Sequence, residues 1–130
     1  MTAVRLRTVL LVLAAAGLAV AGCASADEPA VREVAASFAG GDAQTRCDLL
    51  APATMASLVA EEATSCPEAI GSLPLGRGDV VSAEVWGEDA LVHLSDDTLL
   101  LTRDAGGWLV SAGACLPDGD GPYQCRLEAS

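Results

Sequence analysis

The chain has 130 residues, 52% of them hydrophobic, and a formal net charge of −11 at pH 7. Its seven basic residues are all arginine and oppose 18 acidic residues, so phosphate backbones would repel it. This balance excludes nucleic acid as a partner. It also excludes attachment to an anionic membrane through basic side chains.

The first 22 residues have the pattern of a signal peptide. Arg5 and Arg7 precede an uncharged, almost wholly apolar stretch over residues 8–21. That stretch is too short for a membrane-spanning helix, which needs about 20 residues. The following Val20-Ala21-Gly22-Cys23 resembles the lipobox of bacterial lipoproteins, which are cut before the cysteine and carry a diacylglycerol on its sulfur. The alternative is an ordinary secretory signal with a chance cysteine.

The lipobox resemblance predicts three parts: a lipoprotein signal peptide (1–22), a short lipidated tether (23–28) and a single domain (29–130). The acyl chains on Cys23 would anchor the protein firmly to the membrane. We therefore expect it in the cell envelope, on the outer face of the cytoplasmic membrane. Residues 23–130 hold five arginines and all 18 acidic residues, a net charge of −13. An extended tether over residues 24–28 reaches only about 17 Å, so the domain should lie close to the membrane.

Four further cysteines predict two disulfides in an exported chain: Cys47, Cys66, Cys115 and Cys125. Three pairings are open. We favour Cys47–Cys66 and Cys115–Cys125 because each pair falls inside one half of the domain. Loop-closure entropy gives each bond about 3 kcal/mol. A metal site is the rival interpretation, but there is no Cys-x-x-Cys and the lone His93 is far from any cysteine in sequence, so we predict neither metal nor cofactor.

The first half of the domain has the apolar periodicity of helices. A first helix can be capped by Asp27, with Pro29 in its first turn, and ends at Gly40-Gly41. The apolar residues on its buried face are Val31, Val34, Ala35 and Phe38. Asp42 can cap a second helix.

Pro52 breaks the second helix, and a third restarts at Ala53 or Thr54 with Met55, Leu58 and Val59 apolar. Ser65 and Glu68 then have the spacing of a capping box, which predicts a short fourth helix through Ile70.

The second half alternates between apolar runs and short turns, which predicts strands. The four runs are residues 79–86, 90–94, 98–103 and 108–114. Residues 116–123 are rich in Pro, Gly and Asp and predict a loop tied at its base by Cys115–Cys125. Residues 126–127 add at most a little strand. The sequence therefore predicts an α+β fold, with helices packed on one face of a curved four-stranded antiparallel meander.

This order resembles the cone-shaped, cystatin-like fold of the SnoaL and ketosteroid-isomerase superfamily. The resemblance rests on Gly41-Asp42, on Cys47-Asp48-Leu49-Leu50 and on Gly106-Gly107-Trp108-Leu109-Val110. The stretch from Trp108 to Cys125 is also similar to small actinobacterial envelope lipoproteins. These motifs are mainly structural, so the resemblance implies a fold more than an activity.

Three residues are candidates for ligand binding: His93, Trp86 and Tyr123. His93 alternates with Val92 and Leu94 and faces away from the core if those two are buried. No residue matches a catalytic position of the superfamily. Asp118-Gly119-Asp120-Gly121 looks like the start of a calcium loop, but the twelfth position is Ala129 instead of the glutamate such a loop needs, so an acidic turn is predicted.

These observations favour a non-catalytic, lipid-anchored binding protein of the envelope, with a protein partner preferred over a small apolar ligand. The alternative is a cone-fold hydrolase or isomerase that uses His93 with a nearby carboxylate as acid and base. A folded spacer without a ligand is the third option. The position of His93 distinguishes the first two, because the enzyme needs it in a pocket beside Asp or Glu.

Overall fold

The computed structural model describes residues 24–130; the predicted signal peptide and Cys23 lie outside the described residues. Four helices come first: α1 (Ala24–Gly40), α2 (Ala43–Asp48), α3 (Pro52–Glu62) and α4 (Cys66–Gly71). Five strands follow: β1 (Val80–Trp86), β2 (Asp89–Leu94), β3 (Thr98–Asp104), β4 (Gly107–Asp118) and β5 (Gly121–Glu128). The α+β class with helices before an antiparallel sheet is confirmed.

Helix α1 begins earlier than the sequence indicated. It starts at Ala24, so residues 24–28 are helical and not an extended tether, and Pro29 lies inside the helix. A proline there removes one helical hydrogen bond. Two ion pairs hold this first part of the helix in place: Glu28 with Arg32 at 2.9 Å and Asp27 with Arg103 of β3 at 3.0 Å. The second pair is a tertiary contact, which local sequence does not reveal.

The short helices begin and end at residues suited to those positions. Asp42 caps α2, and its carboxylate accepts the Thr45 N–H at 2.8 Å, a bond that lowers the pKa of Asp42. Pro52 opens α3 at a position where a missing N–H costs nothing. The capping box at α4 is wrong in detail: Ser65 is the N-cap but makes no side-chain bond, and Glu68 instead accepts the Thr64 hydroxyl.

The sheet has five strands in the order β1-β2-β3-β4-β5, all antiparallel, where the sequence predicted four. The fifth strand comes from the segment predicted to be a loop, residues 116–123, which forms the end of β4 and the start of β5. Cys115 pairs directly with Cys125 across these strands, and Gly119 supplies the positive φ of 54° in the turn. Because residues 116–123 have the composition of a turn, the sequence did not indicate this hairpin, which its own disulfide holds together.

The junction between α2 and α3 acts as a short strand beside β4. The Val110 N–H donates to the Leu49 carbonyl, and the Ala51 N–H donates to the Val110 carbonyl, both at 2.8 Å. Strand β5 does not reach this far, because its pairing with β4 ends at Glu128 opposite Ala112. The helical layer is thus hydrogen-bonded to the sheet as well as packed on it.

The core lies between the helices and one face of the sheet. Its largest fully buried side chains are Phe38, Ile70, Leu99, Leu101, Leu127, Val31, Val92, Val110 and Thr54. Both predicted disulfides are present: Cys47–Cys66 joins α2 to α4 inside this core, and Cys115–Cys125 joins β4 to β5.

Candidate functional site

The candidate site is the sheet face that carries no helix. On this outer face, cross-strand register aligns Glu84 with Leu91 and Leu100, and Trp86 with Asp89 and Thr102. Leu109 follows in the second row, opposite Thr102. The leucines of this face are only half-buried. On the opposite face, Val92 and Leu99 are completely buried under the helices.

Trp86 is the most exposed aromatic side chain of this face, with 51% of its surface accessible. Trp86 is the last residue of edge strand β1 and lies beside a shallow depression of about 180 Å³. Asp89, Leu100 and Ser111 contribute to the walls of that depression. An indole beside a carboxylate, above an apolar floor, is a combination suited to a cationic group.

His93 lies on the same outer face, since Val92 and Leu94 are buried. Its Nδ1 is 3.1 Å from the Thr98 hydroxyl, and it pairs across the strands with Ser82. Within residues 24–130 no carboxylate hydrogen-bonds to its ring. The acid–base pair that the enzyme alternative requires is therefore not supported by the contacts of His93.

The three predicted ligand-binding residues do not come together. Trp86 and His93 share the outer face, but their rows are four residues apart along the strands, about 13 Å. Tyr123 is half-buried in β5, at the opposite edge of the sheet, and not in a loop. Of the three, Trp86 borders a depression on this face together with Asp89.

The second tryptophan, Trp108, belongs to the helix-covered face and is 6% exposed. The Arg103 guanidinium lies over its ring, 5.5 Å from the centroid, and binds both Asp27 carboxylate oxygens at 3.0 and 3.1 Å. Trp108, Arg103 and Asp27 thus bring a tryptophan, a cation and a carboxylate into contact, and this contact fastens the start of α1 to the sheet.

Asp96 and Asp97 lie between β2 and β3, and both carboxylates bind backbone N–H groups. Asp96 accepts from Arg77 at 2.9 Å and from Gly78 at 2.8 Å, and these bonds lower its pKa. Asp97 accepts from Gly76 at 2.9 Å and from Ala114 at 3.2 Å.

These bonds join residues 76–78, the β2–β3 turn and β4. A Cβ at Gly76 or Gly78 would collide with Asp96 or Ser95, so this contact requires glycine. The Gly-Arg-Gly sequence upstream was the available signal.

Arg46 of α2 is a further residue whose role the sequence did not indicate. It is 5% exposed, and its guanidinium donates to the carbonyls of Phe38, Ala39 and Gly76 at 2.9, 3.0 and 2.7 Å. Burial lowers the pKa of Arg46. The guanidinium also lies over the Phe38 ring, at 5.2 Å. Its role is therefore to join the end of α1 to the loop before β1.

Other predicted features show no further chemistry in the part of the chain that the structure describes. Asp118-Gly119-Asp120-Gly121 forms the β4–β5 turn, and nowhere in residues 24–130 do three His, Cys, Asp or Glu side chains gather as metal ligands. In the same residues, none of the helices has both the length and the apolar character to cross a membrane.

Comparison with known proteins gives no match, whether with family models, curated proteins or solved structures.

Proposed function

We propose that the protein is a lipid-anchored binding protein of the cell envelope, held by a diacylglycerol on Cys23 at the outer face of the cytoplasmic membrane. The observation that carries the proposal is Val20-Ala21-Gly22-Cys23 at the end of the apolar segment. We further infer a cystatin-like cone of the kind found in small actinobacterial envelope lipoproteins. The packing of α1 and α3 against one face of an antiparallel meander, with α2 and α4 packed on these helices, supports that inference.

The two disulfides support an exported location. Such bonds persist in oxidising compartments and are rare in the cytosol. Both close short loops in the described domain, Cys47–Cys66 over 19 residues of separation and Cys115–Cys125 over 10. A small domain with a single core gains stability from such bonds when it works outside the cell.

The position of α1 supports anchoring close to the membrane. The helix begins at the residue after Cys23, and the Asp27–Arg103 pair fixes its first turns beside the β1–β2 and β3–β4 turns. Five helical residues extend about 8 Å, half of what an extended tether would allow. A lipid on Cys23 would therefore hold that end of the sheet near the bilayer and leave the outer face accessible from the side.

A binding role is preferred because the outer face presents a half-exposed tryptophan and half-buried leucines, whereas His93 has a hydroxyl partner only. No observation among the described residues favours the hydrolase or isomerase alternative. The partner we prefer is another envelope protein.

Lipidation is tested by expressing the full chain in a bacterium that processes lipoproteins. Membranes are partitioned between detergent and water, and the N-terminal peptide is weighed by mass spectrometry. We expect a peptide that begins at Cys23 and carries acyl chains, in the detergent phase. Cys23→Ser should remain an unmodified precursor, while Ser25→Ala should behave like the parent. An unmodified Cys23 in the parent would overturn the anchoring proposal.

A further inference from the structure

We propose that the depression beside Trp86 binds an arginine side chain of a partner protein segment that lies across the outer sheet face. This inference rests on the proposed binding role and names the surface and the chemistry of its partner. The indole of Trp86 is half exposed, and Asp89 lies directly opposite it in the β1–β2 register.

The site lacks a cation of its own within residues 24–130. Four of the five described arginines are bonded elsewhere: Arg32 to Glu28, Arg103 to Asp27, and Arg46 and Arg77 to backbone carbonyls. The fifth, Arg126, lines a different depression next to Leu116. The Asp89 carboxylate has no ion pair among these residues, so an incoming cation would find both the carboxylate and the indole face unused.

The other face of the same sheet indicates what kind of group fits. There Arg103 lies over Trp108 and is held by Asp27. A guanidinium is flat, so it can stack on an indole while its N–H groups face a carboxylate. The row that holds Trp86 and Asp89 is one residue from the row of Arg103 and Trp108. The outer face thus has a tryptophan and a carboxylate side by side, as the helix-covered face has, but no cation among residues 24–130.

Charge and surface select a protein segment over other occupants. A second copy would bring another −13 charges to an acidic surface, and an anionic bilayer would be repelled in the same way. Beyond the depression, Leu91, Leu100 and Leu109 continue the outer face as half-buried apolar surface. A partner segment that carries arginine beside apolar side chains matches both the depression and the apolar surface beyond it.

The test uses the full chain as processed by the host, purified in a nonionic detergent micelle, with ¹⁵N-labelled tryptophan. The two tryptophans give two indole N–H signals in the NMR spectrum, and Trp86→Phe assigns them. The probe is the peptide Val-Arg-Val-Arg-Val, and the control peptide carries neutral citrulline in place of arginine. Trp108 is the internal control, because its ring is covered by Arg103.

We expect the Trp86 signal to shift saturably with the arginine peptide while the Trp108 signal stays in place. Asp89→Asn should weaken binding about two- to fivefold, as expected for the loss of an exposed ion-pair contact. Asp118→Asn, in the β4–β5 turn, is the matched charge control and should leave the affinity unchanged. The Trp108 signal reports whether each variant is folded.

Equal binding of the citrulline peptide, an unmoved Trp86 signal, or an equal effect of Asp118→Asn would each overturn the arginine site. These outcomes are distinguishable from failure of the anchoring proposal. A shifted Trp86 signal on a chain with unmodified Cys23 would leave the arginine site standing and remove the lipid. An acylated chain with an unmoved Trp86 signal would do the reverse.

Discussion

The two tryptophans occupy adjacent rows of one sheet but opposite faces, and their surroundings differ. Trp108 is 6% exposed, lies under Arg103 and contributes to the core, whereas Trp86 is 51% exposed. On the helix-covered face the chain itself supplies a cation over the tryptophan ring, and on the outer face, among residues 24–130, it does not. This difference shows that adjacent rows on opposite faces of one sheet can have very different surroundings, one buried under helices and the other open to solvent.

The largest expected effect is at the covered face. Trp108→Ala should destabilise the domain by about 3–5 kcal/mol, because it leaves a cavity and uncovers Arg103. Trp86→Ala should cost no more than about 1 kcal/mol, because half of its surface already meets water. Urea denaturation measures both. Comparable losses for the two variants would mean that the outer face is also a folding surface.

The disulfides extend the comparison to the helical layer and the hairpin. Replacing both cysteines of either bond by alanine should cost about 3 kcal/mol through loop entropy alone. Both cysteines of Cys47–Cys66 are buried in the core, whereas only Cys115 of the second pair is buried, so loss of Cys47–Cys66 should cost about 1 kcal/mol more than loss of Cys115–Cys125. Urea denaturation of the two double variants measures the difference. The reverse order would show that the hairpin, and not the helical layer, limits stability.

Arg46 tests whether the covered face depends on buried polar contacts. Arg46→Met keeps much of the volume but leaves three buried carbonyl bonds unmade, and we expect a loss of about 2–3 kcal/mol. Arg77→Met, whose side chain is exposed and makes one carbonyl bond, is the matched control and should be near neutral. If both variants unfold at the same urea concentration, the Arg46 contacts contribute nothing net.

The smallest expected effect concerns the carboxylate of Asp96. Its pKa is lowered in the folded protein by the N–H groups of Arg77 and Gly78, so the folded state binds fewer protons than the unfolded one. The stabilisation is present above the unfolded pKa of about 3.9 and is lost as the pH falls through the lower folded value. Asp96→Asn should lower the melting temperature slightly at pH 7, by an amount that shrinks below pH 4. A difference independent of pH would contradict this linkage.

Much of the fold could be predicted because its signals are local. The spacing of Val31, Ala35 and Phe38, the Asp42 cap and the alternation of β2 and β3 specify elements without any knowledge of their neighbours. Both disulfide pairings were also predictable, since each joins residues close in sequence. The fifth strand was not, because the Pro, Gly and Asp residues of 116–123 have turn propensities that the cross-strand bond overrides.

The candidate site was predictable only in its residue types. Trp86, His93 and Tyr123 are conspicuous in a chain with few aromatics, but which of them share a surface depends on strand register. The sequence does not reveal that Asp89 faces Trp86, or that Asp96 and Asp97 bind the backbone of residues 76–78.

The sequence by itself determined the order of the helices and of the first four strands, the acidic charge, a preferred cysteine pairing and the expectation of a lipid anchor at Cys23. These follow from composition and short-range periodicity. Only the tertiary structure decided that the start of α1 is fixed by Arg103, that Arg46 is buried, and that Trp108 has a cation over its ring while Trp86 has none among the described residues. Those outcomes depend on contacts between residues distant along the chain, which form only when the helical layer packs on one face of the sheet.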